Sequence, residues 1–239
     1  MAEPILKVKN LNVRFGDHLV LENVNFELSR NQALAVIGPN GAGKTVLFKA
    51  LIGATPFSGD IEWSDGVRFG YVPQRLDLDP QLTLTLRDLL MLKIGILKLS
   101  PDVIDEVISL AHVDKKDLDK RLVNLAAGII QRGLIALALI GDTNVLLFDE
   151  PTSGVDSPRE ELIYETLHEL QDHKELTLMF ISHDLNLVYR YATQVLCINK
   201  SMLCFGEPQK TLNTDVLTKL YGERVLYHHH HPRPDRDNH

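Results

Sequence analysis

The run Gly38-Pro39-Asn40-Gly41-Ala42-Gly43-Lys44-Thr45 has the residue types and spacing of a phosphate cradle. Glycines let the backbone curl until successive N–H groups face one point, and the start of a following helix adds positive potential there. Lys44 would then neutralise the β- and γ-phosphates of a nucleotide, and the Thr45 hydroxyl would be a ligand to Mg²⁺. Asp149 and Glu150 close the apolar run Val145 to Phe148, where a buried carboxylate is costly unless a cation or water compensates it. Asp149 is expected to hold Mg²⁺ through its hydration shell, and Glu150 to orient and polarise an attacking water as general base. His183 follows the apolar run Leu178 to Ile181 and could donate to the γ-phosphate, while Gln74 is a neutral candidate ligand for the metal and the water. Phe15 ends an early alternating segment and offers adenine a flat apolar face. Guanine readers usually carry Asn-Lys-x-Asp; the nearest run here, Asn199-Lys200-Ser201-Met202, lacks the aspartate, so ATP is expected rather than GTP.

These residues need elements to hold them. Val8, Leu11, Val13 and Phe15 alternate, as do positions within Val20 to Leu28, which reads as strands. Ala33 to Ile37 is apolar throughout, as a strand buried in a parallel sheet must be, and the glycine loop then opens a helix near Lys44. Val67 to Val72 is a further short strand ending at Pro73-Gln74. From about residue 82 to 140 the apolar spacing becomes helical, with Leu86, Leu89, Leu90 and Ile94, then Val103, Ile104, Val107 and Ile108 after Pro101. This predicts an inserted helical subdomain. Two more buried-strand runs, ending at Phe148 and Ile181, flank an amphipathic helix from about Pro158 to Leu170. The expected fold is therefore α/β: a P-loop nucleotide-hydrolase core with a parallel sheet, an N-terminal antiparallel part and an α-helical insertion.

At 239 residues and 44% hydrophobic, the chain can bury a sizeable core without staples. The polar start Met1-Ala2-Glu3-Pro4 is not signal-like, and with two cysteines, Cys197 and Cys204, it points to a reducing, cytoplasmic setting. No stretch has the roughly 18 apolar residues of a membrane span, so a membrane role would run through a partner. A net charge of −7 disfavours nucleic acid as a partner. Residues 224–239 are polar and are expected to be a disordered tail.

Taken together, the motifs resemble the ATPase subunit of ABC transporters, over roughly residues 5 to 223. Phe15 matches the adenine-stacking position, Gly38 to Thr45 the Walker A motif, Gln74 the Q-loop and Val145 to Glu150 the Walker B motif. Ser153-Gly154-Val155-Asp156 matches the D-loop and His183 the H-loop. The resemblance implies ATP and Mg²⁺ as cofactors, with nucleotide also contacted by Asp156 and by the signature motif. It further implies a homodimer closing head to tail over two ATP molecules, peripheral on the inner face of the cell membrane and bound to an integral membrane permease. The signature, Leu-Ser-Gly-Gly-Gln in the family, appears as Leu125-Ala126-Ala127-Gly128-Ile129 before Gln131-Arg132. Ala126 lacks the hydroxyl that reaches the partner's γ-phosphate, so this departure bears on hydrolysis and not on nucleotide binding.

Within the family, the segments 181–188, 205–208 and 220–222 look most like subunits that energise zinc and manganese importers, which implies a metal-binding substrate-binding protein as an indirect partner. The histidines His228 to His231 and His239 leave three readings open: weak metal handling, a tail without function, or a remnant of an expression vector. Two other readings of the whole chain also remain at this point, a soluble ABC-type ATPase without a membrane partner and a weakly hydrolysing regulatory subunit.

Overall fold

A computed structural model describes residues 4–74, 76, 78–150, 157–174 and 176–222. Two long strands, β1 (Pro4–Phe15) and β2 (His18–Ser29), form an antiparallel hairpin. β3 (Ala33–Ile37), buried at every residue, runs through residues 38–43 into α1 (Lys44–Leu51). β4 (Ser58–Trp63) returns to pair antiparallel with β1, and β5 (Phe69–Val72) precedes the helices. Those are α2 (Leu86–Leu97), α3 (Val103–Leu110) and α4 (Ala127–Leu139). α2 opens on a reciprocal cap in which the Thr85 side chain accepts from the Asp88 N–H and the Asp88 side chain accepts from the Thr85 N–H. β6 (Val145–Phe148), α5 (Ser157–Lys174), β7 (Thr177–Ile181), α6 (Leu185–Tyr191) and β8 (Gln194–Asn199) continue the strand–helix alternation. The chain then forms β9 (Ser201–Gly206), α7 (Pro208–Thr211) and α8 (Thr214–Tyr221).

The strands join in the order β4-β1-β2-β9-β8-β3-β7-β6-β5. From β8 to β5 every neighbouring pair is parallel. Parallel strands end on the same side of a sheet, where α/β folds gather their ligands. The glycine loop after β3, Gln74 after β5, Glu150 after β6 and His183 after β7 therefore emerge together, with Val36 level with Ile181 and Phe148 level with both Val72 and Phe180. The topology, rather than sequence proximity, assembles the site.

Side-chain alternation along these strands divides the interior in two. Ala35, Leu146, Phe148, Leu178 and Phe180 face a core shared with α2 to α6 and α8, whereas Val36, Leu147, Met179 and Ile181 face a core shared with the β1–β2 hairpin and α1. A strand buried on both faces must be apolar at consecutive positions. Replacing a fully buried ring such as Phe148 by alanine would cost about 3–5 kcal/mol.

Cys197 and Cys204 stand opposite one another in the antiparallel β8–β9 register and are joined in a disulfide. This departs from the expectation of reduced cysteines in a fold without staples; the pairing follows from a hairpin that turns at Lys200, whose φ is 63°. Among the described residues no helix is long and apolar enough to cross a membrane. Asp156 and the rest of residues 151–156, and the tail histidines, lie outside the described residues.

Candidate nucleotide site

The glycine loop is shaped by close backbone approach. A Cβ on Gly38 would run into the Ile198 carbonyl of β8, and one on Gly43, where φ is 97°, would come within 2.6 Å of a Leu21 methyl. Only glycine meets both the conformation and the space at position 43. The tip of the β8–β9 hairpin braces the loop from outside, the Lys200 N–H donating to the Ala42 carbonyl at 3.2 Å. Lys44 folds back across the cradle, its Nζ donating to the carbonyls of Gly38 at 2.9 Å and Pro39 at 3.0 Å. Lys44 is only 6% exposed. Burial pulls its pKa below the usual lysine value, and the charges of Glu150 and Asp149 oppose that shift.

Facing the cradle, Asp149 is held from two sides. Its Oδ1 accepts from the Thr45 hydroxyl at 2.8 Å and its Oδ2 from the Tyr71 hydroxyl at 2.9 Å. Burial raises the Asp149 pKa above the ordinary carboxylate value, and these two hydrogen bonds work against it. Burial and the neighbouring Asp149 charge push the Tyr71 phenol well up, so it remains a donor. Glu150 adopts a left-handed backbone, φ 50°, an uncommon conformation for a residue with a long side chain. Its Oε2 accepts from the Gln74 amide at 2.5 Å, its Oε1 lies 2.7 Å from His183 Nε2, and Lys44 Nζ is 3.9 Å away. Lys44, Thr45, Gln74, Asp149, Glu150 and His183 thus form one connected cluster.

The cluster opens into a cleft of about 380 Å³ lined by Val20, residues 40–46, Gln74 and Glu150. A buried cation, a curled glycine backbone and two hard oxygen donors on Thr45 and Asp149 fit a polyphosphate carrying Mg²⁺. Phe15, 52% exposed at the hairpin end opposite His18, does not belong to that lining; Val20 of the same hairpin does. Ala126 and Ala127 stand exposed at the start of α4, outside the cleft, with Gly128 half-buried.

Comparison with known proteins agrees with this architecture. Residues 21–153 match the family model described as ABC transporter. The chain is 35% identical to the zinc import ATP-binding protein ZnuC of Haemophilus influenzae over 235 residues, covering 96% of this chain and 86% of that protein. The chain belongs to the ABC transporter family. The ZnuC of Photorhabdus laumondii is 36% identical, with 95% and 89% of the two chains covered. Among solved structures, a metal-chelate type ABC transporter in an inward-facing conformation superposes with a TM-score of 0.81 at 25% identity, over 92% of this chain and 89% of that one.

Within this ABC chain, the Walker A, Q-loop, Walker B and H-loop residues converge, whereas Phe15 lies outside the cleft lining and the signature residues stand apart from the cleft of their own subunit. Three contributors escape a reading of the sequence. Val20 reaches the cleft because the hairpin folds over α1, and Ile198 meets Gly38 because β8 lies beside β3. Tyr71 meets Asp149 because β5 lies beside β6. Each is a long-range adjacency with no local signal. An aromatic hydroxyl in the strand just before Gln74 is the only hint that Tyr71 offers.

Proposed function

We propose that this chain is the ATP-binding and ATP-hydrolysing subunit of a zinc importer, working in the cytoplasm as a homodimer on the inner face of the cell membrane. Its permease is a separate membrane protein, supplied in turn by a zinc-binding protein. Its relatives in Haemophilus influenzae and Photorhabdus laumondii are named zinc import ATP-binding proteins, which supports the substrate. The observation that carries the chemistry is Glu150 held by Gln74 and His183 beside a buried Lys44.

In this reading the loop N–H groups and Lys44 bind the β- and γ-phosphates, and Phe15 and Val20 border the adenine. Thr45 and Asp149, with Gln74, hold Mg²⁺, which supplies charge neutralisation on the phosphates when bound. Glu150 accepts the proton of the attacking water, and His183 donates toward the γ-phosphate. The exposed start of α4, with Ala126, Ala127 and Gly128, faces the nucleotide of the second copy, together with Asp156. The exposed face of α2, where Ile96 is 78% and Leu92 57% exposed beside Met91 and Leu97, receives the permease.

Glu150→Gln keeps the cradle and removes the base. The variant is expected to bind ATP with unchanged affinity, to lose hydrolysis by at least a hundred-fold, and to run as a dimer in size-exclusion chromatography with ATP and Mg²⁺. Hydrolysis at the parental rate would remove Glu150 from the reaction.

A further inference from the structure

Asp149 is fixed by β5 at two points. Its backbone N–H donates to the Val72 carbonyl at 3.0 Å, and its side-chain Oδ2 accepts from the hydroxyl of Tyr71, the preceding residue of the same strand. Tyr71 is level with Leu147 in the β5–β6 register, and its half-buried ring packs against the core shared by α1 and the hairpin. The hydroxyl therefore approaches Asp149 from the sheet side, while Thr45 on α1 meets the other oxygen from the cradle side. A carboxylate held by one donor can still rotate about its terminal bond, which is a broad torsion. One donor on each oxygen sets the plane of the group. It also satisfies the oxygen on the sheet side and leaves the other beside Thr45, which lines the cleft.

We propose that Tyr71 is a positioning residue for Mg²⁺: its hydroxyl orients the Asp149 carboxylate so that the cradle accepts a metal-bound nucleotide without first reorganising that side chain. The proposal rests on the reading of the site as a Mg²⁺–nucleotide cradle. Orienting groups one layer behind a metal site change metal affinity although they do not touch the metal. Tyr71→Phe removes the hydroxyl and keeps the ring that packs the core.

The test uses the full chain and the fluorescent nucleotide N-methylanthraniloyl-ATP, titrated first in EDTA and then at fixed nucleotide with increasing Mg²⁺. Tyr71→Phe is expected to bind nucleotide in EDTA like the parent and to need roughly ten-fold more Mg²⁺ for the half-maximal metal-dependent change, the size of one hydrogen bond to a charged group. Its melting temperature without ligand should fall by only about 2–6 °C, the cost of one hydrogen bond to a buried carboxylate, so the chain stays folded at the titration temperature and the unchanged binding in EDTA separates positioning from packing. An unchanged Mg²⁺ midpoint in Tyr71→Phe, or equal weakening in EDTA and in Mg²⁺, overturns the proposal. If the parent itself shows no Mg²⁺-dependent nucleotide binding, the cradle reading fails and the proposal falls with it, an outcome distinct from a variant that merely matches a responsive parent.

Discussion

Lys44 carries a charge that the nucleotide-free fold compensates only in part, since its two close partners are neutral carbonyls and its nearest carboxylate is 3.9 Å away. Burial therefore lowers its pKa, and the sign of the linkage follows. A lysine whose folded value lies below its unfolded value costs stability at all pH below the folded value, and that cost vanishes above the ordinary lysine value of 10.5. Lys44→Met, which keeps the stem volume, is expected to raise the melting temperature of the nucleotide-free protein near pH 7 by about 2–4 °C, corresponding to about 1 kcal/mol. The gain should shrink as pH rises through the lowered Lys44 value. The same variant should lose ATP binding and with it the stabilisation that ATP confers on the parent. Differential scanning calorimetry with and without ATP measures both; a lower ligand-free melting temperature at pH 7 would show that the carbonyl contacts outweigh the buried charge.

At the scale of elements, α4 is the helix whose start departs from its family. Ala126 is its N-cap, and no side chain caps the first turn, so the Ile129 and Ile130 N–H groups close only on the Ala126 carbonyl. A serine there would do two separable things. As a cap it should stabilise the subunit by about 1 kcal/mol, read as a rise in melting temperature of the isolated chain. As a donor toward the partner's γ-phosphate it should raise hydrolysis by the assembled dimer by roughly ten- to a hundred-fold. Ala126→Ser with the higher melting temperature and an unchanged ATPase rate in the presence of the permease would mean that the departure is catalytically neutral. Local signals of this kind are what a sequence displays. The glycine loop, the uniformly apolar strands around it and the helical spacing of Leu86, Leu90 and Ile94 are short-range patterns, and α1 begins at Lys44 where the loop predicts. The mutual contacts of Gln74, Glu150 and His183 are not legible, because they depend on which strand neighbours which. Tyr71 is invisible for the same reason, as is the Cys197–Cys204 pairing across a hairpin.

At the scale of the whole molecule, ATP chemistry and transport occur in different places, and the chain must connect them. α2 sits on the shared core through Leu86, Leu90 and Ile94 and shows Leu92 and Ile96 to the outside, beside a groove of about 700 Å³ bordered by Leu84, Asp88, Met91 and Gly95. Exposed apolar residues concentrated on one helix mark an interaction face rather than scattered surface. Eleven residues, 75–85, separate Gln74, whose amide holds Glu150, from the start of α2, and transmission of a permease-driven displacement of α2 along this segment to Glu150 is the coupling to be tested. Docking and coupling then separate by mutation. Leu92→Glu with Ile96→Glu changes only outward side chains, and should leave ligand-free stability within about 1 kcal/mol and ATP affinity unchanged while abolishing co-purification with the permease. Gln74→Ala should co-purify normally and bind ATP within a few-fold of the parent, yet lose most of the permease stimulation of ATPase. Surface exposure alone predicts the first pattern but not the second, since it gives Gln74 no role in stimulation. Full stimulation of Gln74→Ala would break the link between α2 and Glu150, and normal co-purification of the double variant would move the permease to another face.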